Sequence, residues 1–364
     1  MQGLRGSDAP GVGFRSWAGG SPGGLASLPD GPFSDSVPHT LNGRHSPERP
    51  SGDSPVTNDL PALLPLAPRF QPRVWGGERL APPTPDGLPI GEAWIADGDS
   101  VVTDGPLAGR PVHELLRDHP RAILGDQLDP DAGFPLLIKL LDCRDWLSVQ
   151  VHPNDAQAQR MVGPHERGKT EAWHFLHVEP GAALLAGVTP GTTPTALADA
   201  IRQGSILDVS ERHGPAEGDT LFIPAGTLHA LGPGLLLYEV QQASDTTYRV
   251  YDWDRPASAG RALHLEESVA VTRADLRGDW TPASETGGVG RLVQCPQFTL
   301  QGARGGSEVD LRGSFGLVTV VEGTLTLEAG GVDLDVDAYG TVLVPAWVGS
   351  VRLRGEGRAL IATA

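Results

Sequence analysis

The feature that most constrains this chain is its punctuation. From Leu64 onward the apolar residues come in short runs, among them DWLSVQVH, AALLAGV, GDTLFIPAG, GLLLYEVQ and TYRVYDW, each bounded by Gly, Pro or Asp. Runs of that length read as β-strands, because a helix needs a longer uninterrupted stretch to bury one face. Gly 48 and Pro 33 together exceed a fifth of the 364 residues, which leaves little room for long helices. Three stretches nevertheless read as helical insertions: PVHELLRDHPRAIL, TPTALADAIRQGSILDVS with Thr195 as its N-cap, and HLEESVAVT. The expected class is all-β with a few short helices.

At about 150 residues per domain the length predicts two compact units. Residues 1–60 are rich in Gly, Pro and Ser without apolar periodicity, and cannot bury enough surface to offset chain entropy, so a disordered tail is expected there. The only methionines are Met1 and Met161, so a start site set too far upstream would give the same pattern. The remainder divides at the Gly-rich SETGGVGR into residues 61–288 and residues 289–364. The net charge is −17, of which the tail carries only −2. A chain so acidic repels polyanions and anionic lipid, which argues against nucleic acid and membrane partners. No apolar run reaches the roughly 18 residues of a membrane span. There is no apolar segment of a secretory signal near Met1, and Cys143 and Cys295 cannot form a disulfide framework, so the cytoplasm is the expected compartment.

Alternation along strands then gathers polar groups. Ser148, Gln150 and His152 in LSVQVHPND project from one face of one strand, as do Lys169, Glu171 and Trp173 in GKTEAWHF. Residues 218–229, GDTLFIPAGTLH, fit Gly-x5-Pro-x-Gly-x2-His, and so resemble the second sequence motif of cupins, which delivers its His into the interior of a jelly roll. The next strand brings Glu239, Asp245 and Arg249. Two imidazoles, one carboxylate and one amide oxygen, from Gln150, His152, Glu171 and His229, suit a borderline divalent metal such as zinc with positions left for substrate. His174 points away from Glu171 by alternation. His177, like His174, flanks the Glu171 strand; His39 and His45 lie in the tail, and His113, His119, His165, His213 and His264 have no motif around them. Lys139 and Lys169 are the only lysines in a chain that otherwise uses Arg, which favours a role for Lys169 needing a compact donor with a tunable pKa.

Read together, RVWGG at 73–77, GEAW at 91–94, GPLAGRPVHEL at 105–115, FPLLIKLLD at 134–142, LSVQVHPND, GKTEAW, IPAGTLHALG and YEVQQASDTTYRVYDWDR resemble the type I mannose-6-phosphate isomerases in their short bacterial form. The resemblance spans most of residues 65–275. It implies two cupin-like jelly-roll domains, the first catalytic and the second without a metal, since no His follows His264. It implies one Zn ion per chain, held by Gln150, His152, Glu171 and His229. It also implies a sugar-phosphate substrate, with mannose 6-phosphate and fructose 6-phosphate interconverted by proton transfer between carbons 1 and 2 through a cis-enediol. Arg249 matches the family's active-site Arg, and Lys169 the Lys before the zinc-binding Glu. Lys169, Asp245 and Glu239 are the candidates for proton transfer and hydroxyl positioning, and Ser148, Lys169 and Arg255 for the phosphate. A monomer or homodimer is expected. Two readings of other classes use the same residues: an Fe(II) oxygenase built on His152, Glu171 and His229, and a sugar-phosphate sensor without chemistry.

Overall fold

The computed structural model describes residues 60–256 and 261–364. The expectations for the tail and the start site lie outside the described residues, apart from Leu60, which is 2% exposed and belongs to the core rather than to a tail. Among the described residues, no helix is long and apolar enough to cross a membrane.

The strands form three antiparallel sheets. A seven-stranded sheet runs in the order Asp279–Thr281, Thr220–Ile223, Glu171–Val178, Leu235–Gln242, Leu136–Cys143, Arg69–Gly77, Ile90–Ala96. A five-stranded sheet runs Tyr248–Tyr251, Val149–Val151, His229–Leu231, Leu184–Val188, Ser210–His213. An eight-stranded sheet is built mainly from residues after 289, centred on the long strands Gly316–Ala329 and Ser350–Thr363. Strand membership changes across SETGGVGR, where Gly287 and Gly288 adopt φ of 60° and 69°. One strand crosses that division: Leu64–Leu66 pairs with Thr341–Val344 and so belongs to the eight-stranded sheet.

The middle of the seven-stranded sheet is packed on both faces. Every residue of Leu136–Cys143 and of Leu235–Gln242 is buried, which is why FPLLIKLLD and GLLLYEVQQ read as nearly continuous apolar runs rather than as alternation. On one face Leu140, Tyr238 and Val240 join Phe298, Phe315 and Leu317 of the eight-stranded sheet in a single core. On the other, Leu141, Trp173, Phe175 and Leu237 meet Leu184, Ala186 and Leu231 of the five-stranded sheet. The far side of the five-stranded sheet is covered by helices through Leu197, Ile201, Ile206 and Val271.

Helix is more frequent than an all-β class implies: seven α-helices accompany twenty strands among the described residues. The first expected helix breaks into Val112–Asp118 and Pro120–Leu124, because Pro120 cannot continue the preceding ladder. The second is capped by Thr193, not Thr195; Pro194 occupies the first helical turn, where its missing N–H costs nothing, and Thr193 Oγ1 accepts from Ala196 N. Leu265–Val271 forms as expected. An additional helix, Asp155–Met161, follows directly after the HPN turn, and Asn154 and Gln157 bond reciprocally in a capping box.

Candidate metal centre

The members of the cluster lie on or directly after strands that border the space between the seven- and five-stranded sheets, His152 following Val149–Val151. Glu171 opens Glu171–Val178 opposite Gln241 and Ile223. His229 lies in register with Gln150 across the five-stranded sheet, and Arg249 pairs with Gln150 from its other side. Two close approaches fix the loops that deliver them. A Cβ at Gly168 would stand 2.6 Å from the Asn154 and Asp155 backbone, so only Gly allows the segment before Lys169 to lie against that helix start. Gly226 takes φ +92° in the turn before His229, a conformation that an L side chain strains to adopt.

The centre itself is compact and buried. His152, Glu171 and His229 are each about 1% exposed, and their ligand atoms all lie within 4.8 Å of one another. His229 Nε2 is 3.3 Å from Glu171 Oε1, and His152 Nε2 is 3.6 Å from Glu171 Oε2. Donors on a tetrahedral ion with bonds of about 2.1 Å stand roughly 3.4 Å apart, so the spacing matches a divalent cation. Both rings are oriented from behind. His152 Nδ1 donates to Thr246 O at 2.9 Å and His229 Nδ1 to Thr227 O at 2.9 Å. A carbonyl only accepts, so the proton sits on Nδ1 and each Nε2 presents a lone pair to the centre. Apart from the Lys169 ammonium beside Oε2, neither Glu171 oxygen has a hydrogen-bond partner among the described residues. A buried carboxylate without one is costly unless a cation meets it. The chain's own counter-charge is Lys169, whose Nζ is 3.2 Å from Glu171 Oε2 and 3.2 Å from His152 Nε2.

Protonation follows from this crowding. Burial, reinforced by the Lys169 charge, holds His152 well below its ordinary value. Burial also lowers His229, against the opposing pull of Glu171. Burial alone would raise Glu171, but the opposing charges, led by the Lys169 ammonium, outweigh it and keep the carboxylate ionised. Burial alone would lower Lys169, and here the sequence argument for a depressed lysine does not hold: Glu171 and Glu239 outweigh burial and raise it. The donor set is therefore two neutral imidazoles and one carboxylate, the form that binds a metal. Gln150 stands beside it with Nε2 3.3 Å from His229 Nε2, and Ser148 Oγ donates to Gln150 Oε1 at 3.4 Å. A half-turn of the amide brings its oxygen to the ligand side.

Next to the metal donors lies a second row of buried charge. Cross-strand register sets Trp173, Glu239, Lys139 and Trp94 side by side across four neighbouring strands. Lys139 Nζ is 3.4 Å from Glu239 Oε1, Trp173 Nε1 donates to Glu239 Oε2 at 3.0 Å, and Trp94 Nε1 donates to Glu92 Oε2 at 2.7 Å. Arg73 donates to Glu92 at 2.9 Å. Burial and the Glu171 charge raise Glu239, in part offset by Lys139. Sequence reading picked Glu239 but passed over Lys139, Glu92 and Trp94.

The remaining expected residues divide. Arg249 is half-buried, with Nη1 donating to Ala262 O at 3.0 Å. His264, without motif context in the sequence, donates its backbone N–H to Arg249 O at 2.8 Å. Asp245 is exposed, although the carbonyl of its neighbour Thr246 accepts from His152. Arg255 is committed elsewhere: it donates to Asp252, to Asp145 at 2.8 Å and to Trp146 O at 2.7 Å, which leaves a tie between chain segments rather than a free anion ligand. Ser148 is buried and supports Gln150.

Comparison with known proteins places this arrangement in context. Residues 63–174 match the family described as phosphomannose isomerase type I, catalytic domain. A mannose-6-phosphate isomerase of Streptococcus mutans is 38% identical over 227 residues, covering 60% of this chain and 70% of that one. The mannose-6-phosphate isomerase ManA of Bacillus subtilis is 33% identical over 308 residues, covering 81% and 96%. Among solved structures, the mannose 6-phosphate isomerase from Bacillus subtilis superposes with a TM-score of 0.72 at 28% identity, over 83% of this chain and 99% of that one.

Proposed function

This chain belongs to the type I phosphomannose isomerases, and we propose that it works with zinc, held by Gln150, His152, Glu171 and His229, one ion per chain. It interconverts mannose 6-phosphate and fructose 6-phosphate, moving a proton between carbons 2 and 1 by way of a cis-enediol. The observation that carries the reading is the buried Glu171 carboxylate, with the Lys169 ammonium beside one oxygen and two imidazole lone pairs facing it. Zinc, when bound, supplies Lewis-acid polarisation of the sugar oxygens at which negative charge develops.

The chain's own groups do the rest. Glu239 is the group we assign to proton transfer: it is buried, its pKa is raised by burial and by Glu171, and Lys139 and Trp173 hold both its oxygens. Lys169 donates to developing oxyanion charge from beside Glu171, and Arg249 does so from the strand in register with Gln150. Exposed Asp245 is assigned no proton. Of the three phosphate candidates, buried Ser148 supports Gln150 and Arg255 is tied to two aspartates, so Lys169 and Arg249 are the cations we assign to the anionic substrate.

The architecture we assign is two cupin-like jelly rolls, residues 61–288 carrying the site and 289–364 closing one face of it. The shared core and the absence of any His after His264 support that division of labour. We place the protein in the cytoplasm as a monomer or homodimer, with Cys143 and Cys295 both free. The test is turnover of mannose 6-phosphate followed in deuterated water. Fructose 6-phosphate carrying solvent deuterium at carbon 1 is expected; absence of any isomerisation would remove the reading.

A further inference from the structure

Asp252 has no part in the roles above, yet it is 4% exposed and accepts three hydrogen bonds from two arginines. Arg261 grips it with two bonds, Nε to Oδ2 at 2.6 Å and Nη2 to Oδ1 at 2.9 Å, and Arg255 Nη1 reaches Oδ1 at 3.1 Å. These two arginines lead to different places. Arg255 continues to Asp145 Oδ2 and Trp146 O, and Trp253 Nε1 donates to Leu147 O at 2.7 Å, so that end is fastened to the segment running into Ser148, Gln150 and His152. Arg261 precedes Ala262, whose carbonyl accepts Arg249 Nη1 at 3.0 Å, and His264 bonds the Arg249 backbone in both directions, at 2.8 and 3.2 Å.

We propose that Asp252 is a positioning residue for Arg249, locking the Arg261–Ala262 backbone so that its carbonyl aims the Arg249 guanidinium at the space beside Gln150. Two further observations support it. Among the described residues Arg249 Nε has no acceptor, and the guanidinium is held by the bond from Nη1 to Ala262 O. Trp253 and Asp254 adopt φ of 54° and 56°, and successive left-handed non-glycine residues persist only where their surroundings over-determine them, as the Asp252 clamp does here. The inference rests on the reading that Arg249 acts on the substrate.

The test is a double-mutant cycle on the zinc-loaded full chain, measuring kcat, KM, metal content and thermal midpoint for Asp252→Asn, Arg249→Ala and the pair. Asp252→Asn keeps the shape and removes the charge, and a displaced guanidinium should lower kcat by about 10- to 100-fold with metal content unchanged. In the Arg249→Ala background the same change should cost less than about 2-fold, because residues acting through one another are not additive. Equal losses in both backgrounds, or an unchanged kcat, would overturn the proposal. An Arg249→Ala variant of full activity would instead show that the reading of Arg249 was wrong. Arg261→Met opens the clamp from its other side and should give the same cycle if Asp252→Asn does not fold.

Discussion

The seven-stranded and eight-stranded sheets follow one recipe with opposite treatment of charge. In the eight-stranded sheet the inward positions are Val318, Val320, Leu325, Leu327, Val351, Leu353 and Ile361, all buried and apolar. Its charges face outward in cross-strand pairs, Arg358 with Glu322 at 2.6 Å, Arg354 with Glu328 at 2.6 Å and Arg352 with Glu308 at 3.0 Å. The seven-stranded sheet turns Glu92, Lys139, Glu171 and Glu239 inward, and all four are buried. Burying those charges gains little stability even when they are paired, so a sheet required only to fold would carry Leu or Val there, as the other sheet does. The breach of the local rule marks the working surface.

That contrast can be broken most severely at the metal donors. His229→Ala removes one of two imidazoles and should abolish metal retention and lower turnover by at least about 100-fold, since loss of even an outer-shell partner of a metal ligand costs 10- to 100-fold. Metal content and steady-state kinetics on the purified variant check this. Retained metal with near-normal turnover would show that the inward charge has another purpose.

Next in size is the charge row beside the metal. Lys139→Met leaves Glu239 beside Glu171 without its nearest cation, and breaking a buried pair costs about 3–5 kcal/mol. Denaturant unfolding measures the loss, and adding Glu239→Gln should recover much of it. A loss in Lys139→Met as small as at an exposed pair would erase the distinction between the sheets.

A third effect is set by pH. Burial, with the Arg358 charge adding, pushes His174 from 6.5 down to about 4. Its folded value lies below its unfolded one, so the unfolded chain binds the extra proton first. The stability contribution is whole above about pH 6.5 and is lost as pH falls toward 4, amounting to about 3 kcal/mol. His174→Gln should flatten the stability profile over that window relative to the parent chain, while His152 and His229 contribute equally to both. Identical profiles would refute the assignment. The smallest change belongs to the outward ladder: Arg354→Gln, at a half-exposed pair, should alter stability by less than about 1 kcal/mol in the same unfolding measurement.

How much of this was legible in the sequence depends on how local the signal is. Gln150, His152, Glu171 and His229 could be read because alternation and one contiguous turn motif place each side chain within its own segment. Lys139 could not, since it stands inside FPLLIKLLD and acquires meaning only from strands at Trp94 and Glu239, remote in sequence and joined by register. The scarcity of lysine was the one signal for it, and it applied equally to Lys169. Arg255 looked like a free cation because Asp145 is far away in the chain, and only the fold brings the two within 2.8 Å. The helix Asp155–Met161 carries a cap signal in Asn154 and Gln157, but its seven residues are too few to show an apolar period. Thr195 looked like a cap from its apolar spacing, whereas Pro194 places the cap one residue before itself.

The central claim is that the inward charge exists to hold a zinc ion on which turnover depends. The direct measurement is zinc content against mannose 6-phosphate turnover as the ion is withdrawn by a chelator and returned. The account predicts that both fall together to near zero, with full activity regained at one zinc per chain. Undiminished turnover in protein stripped of metal would contradict it.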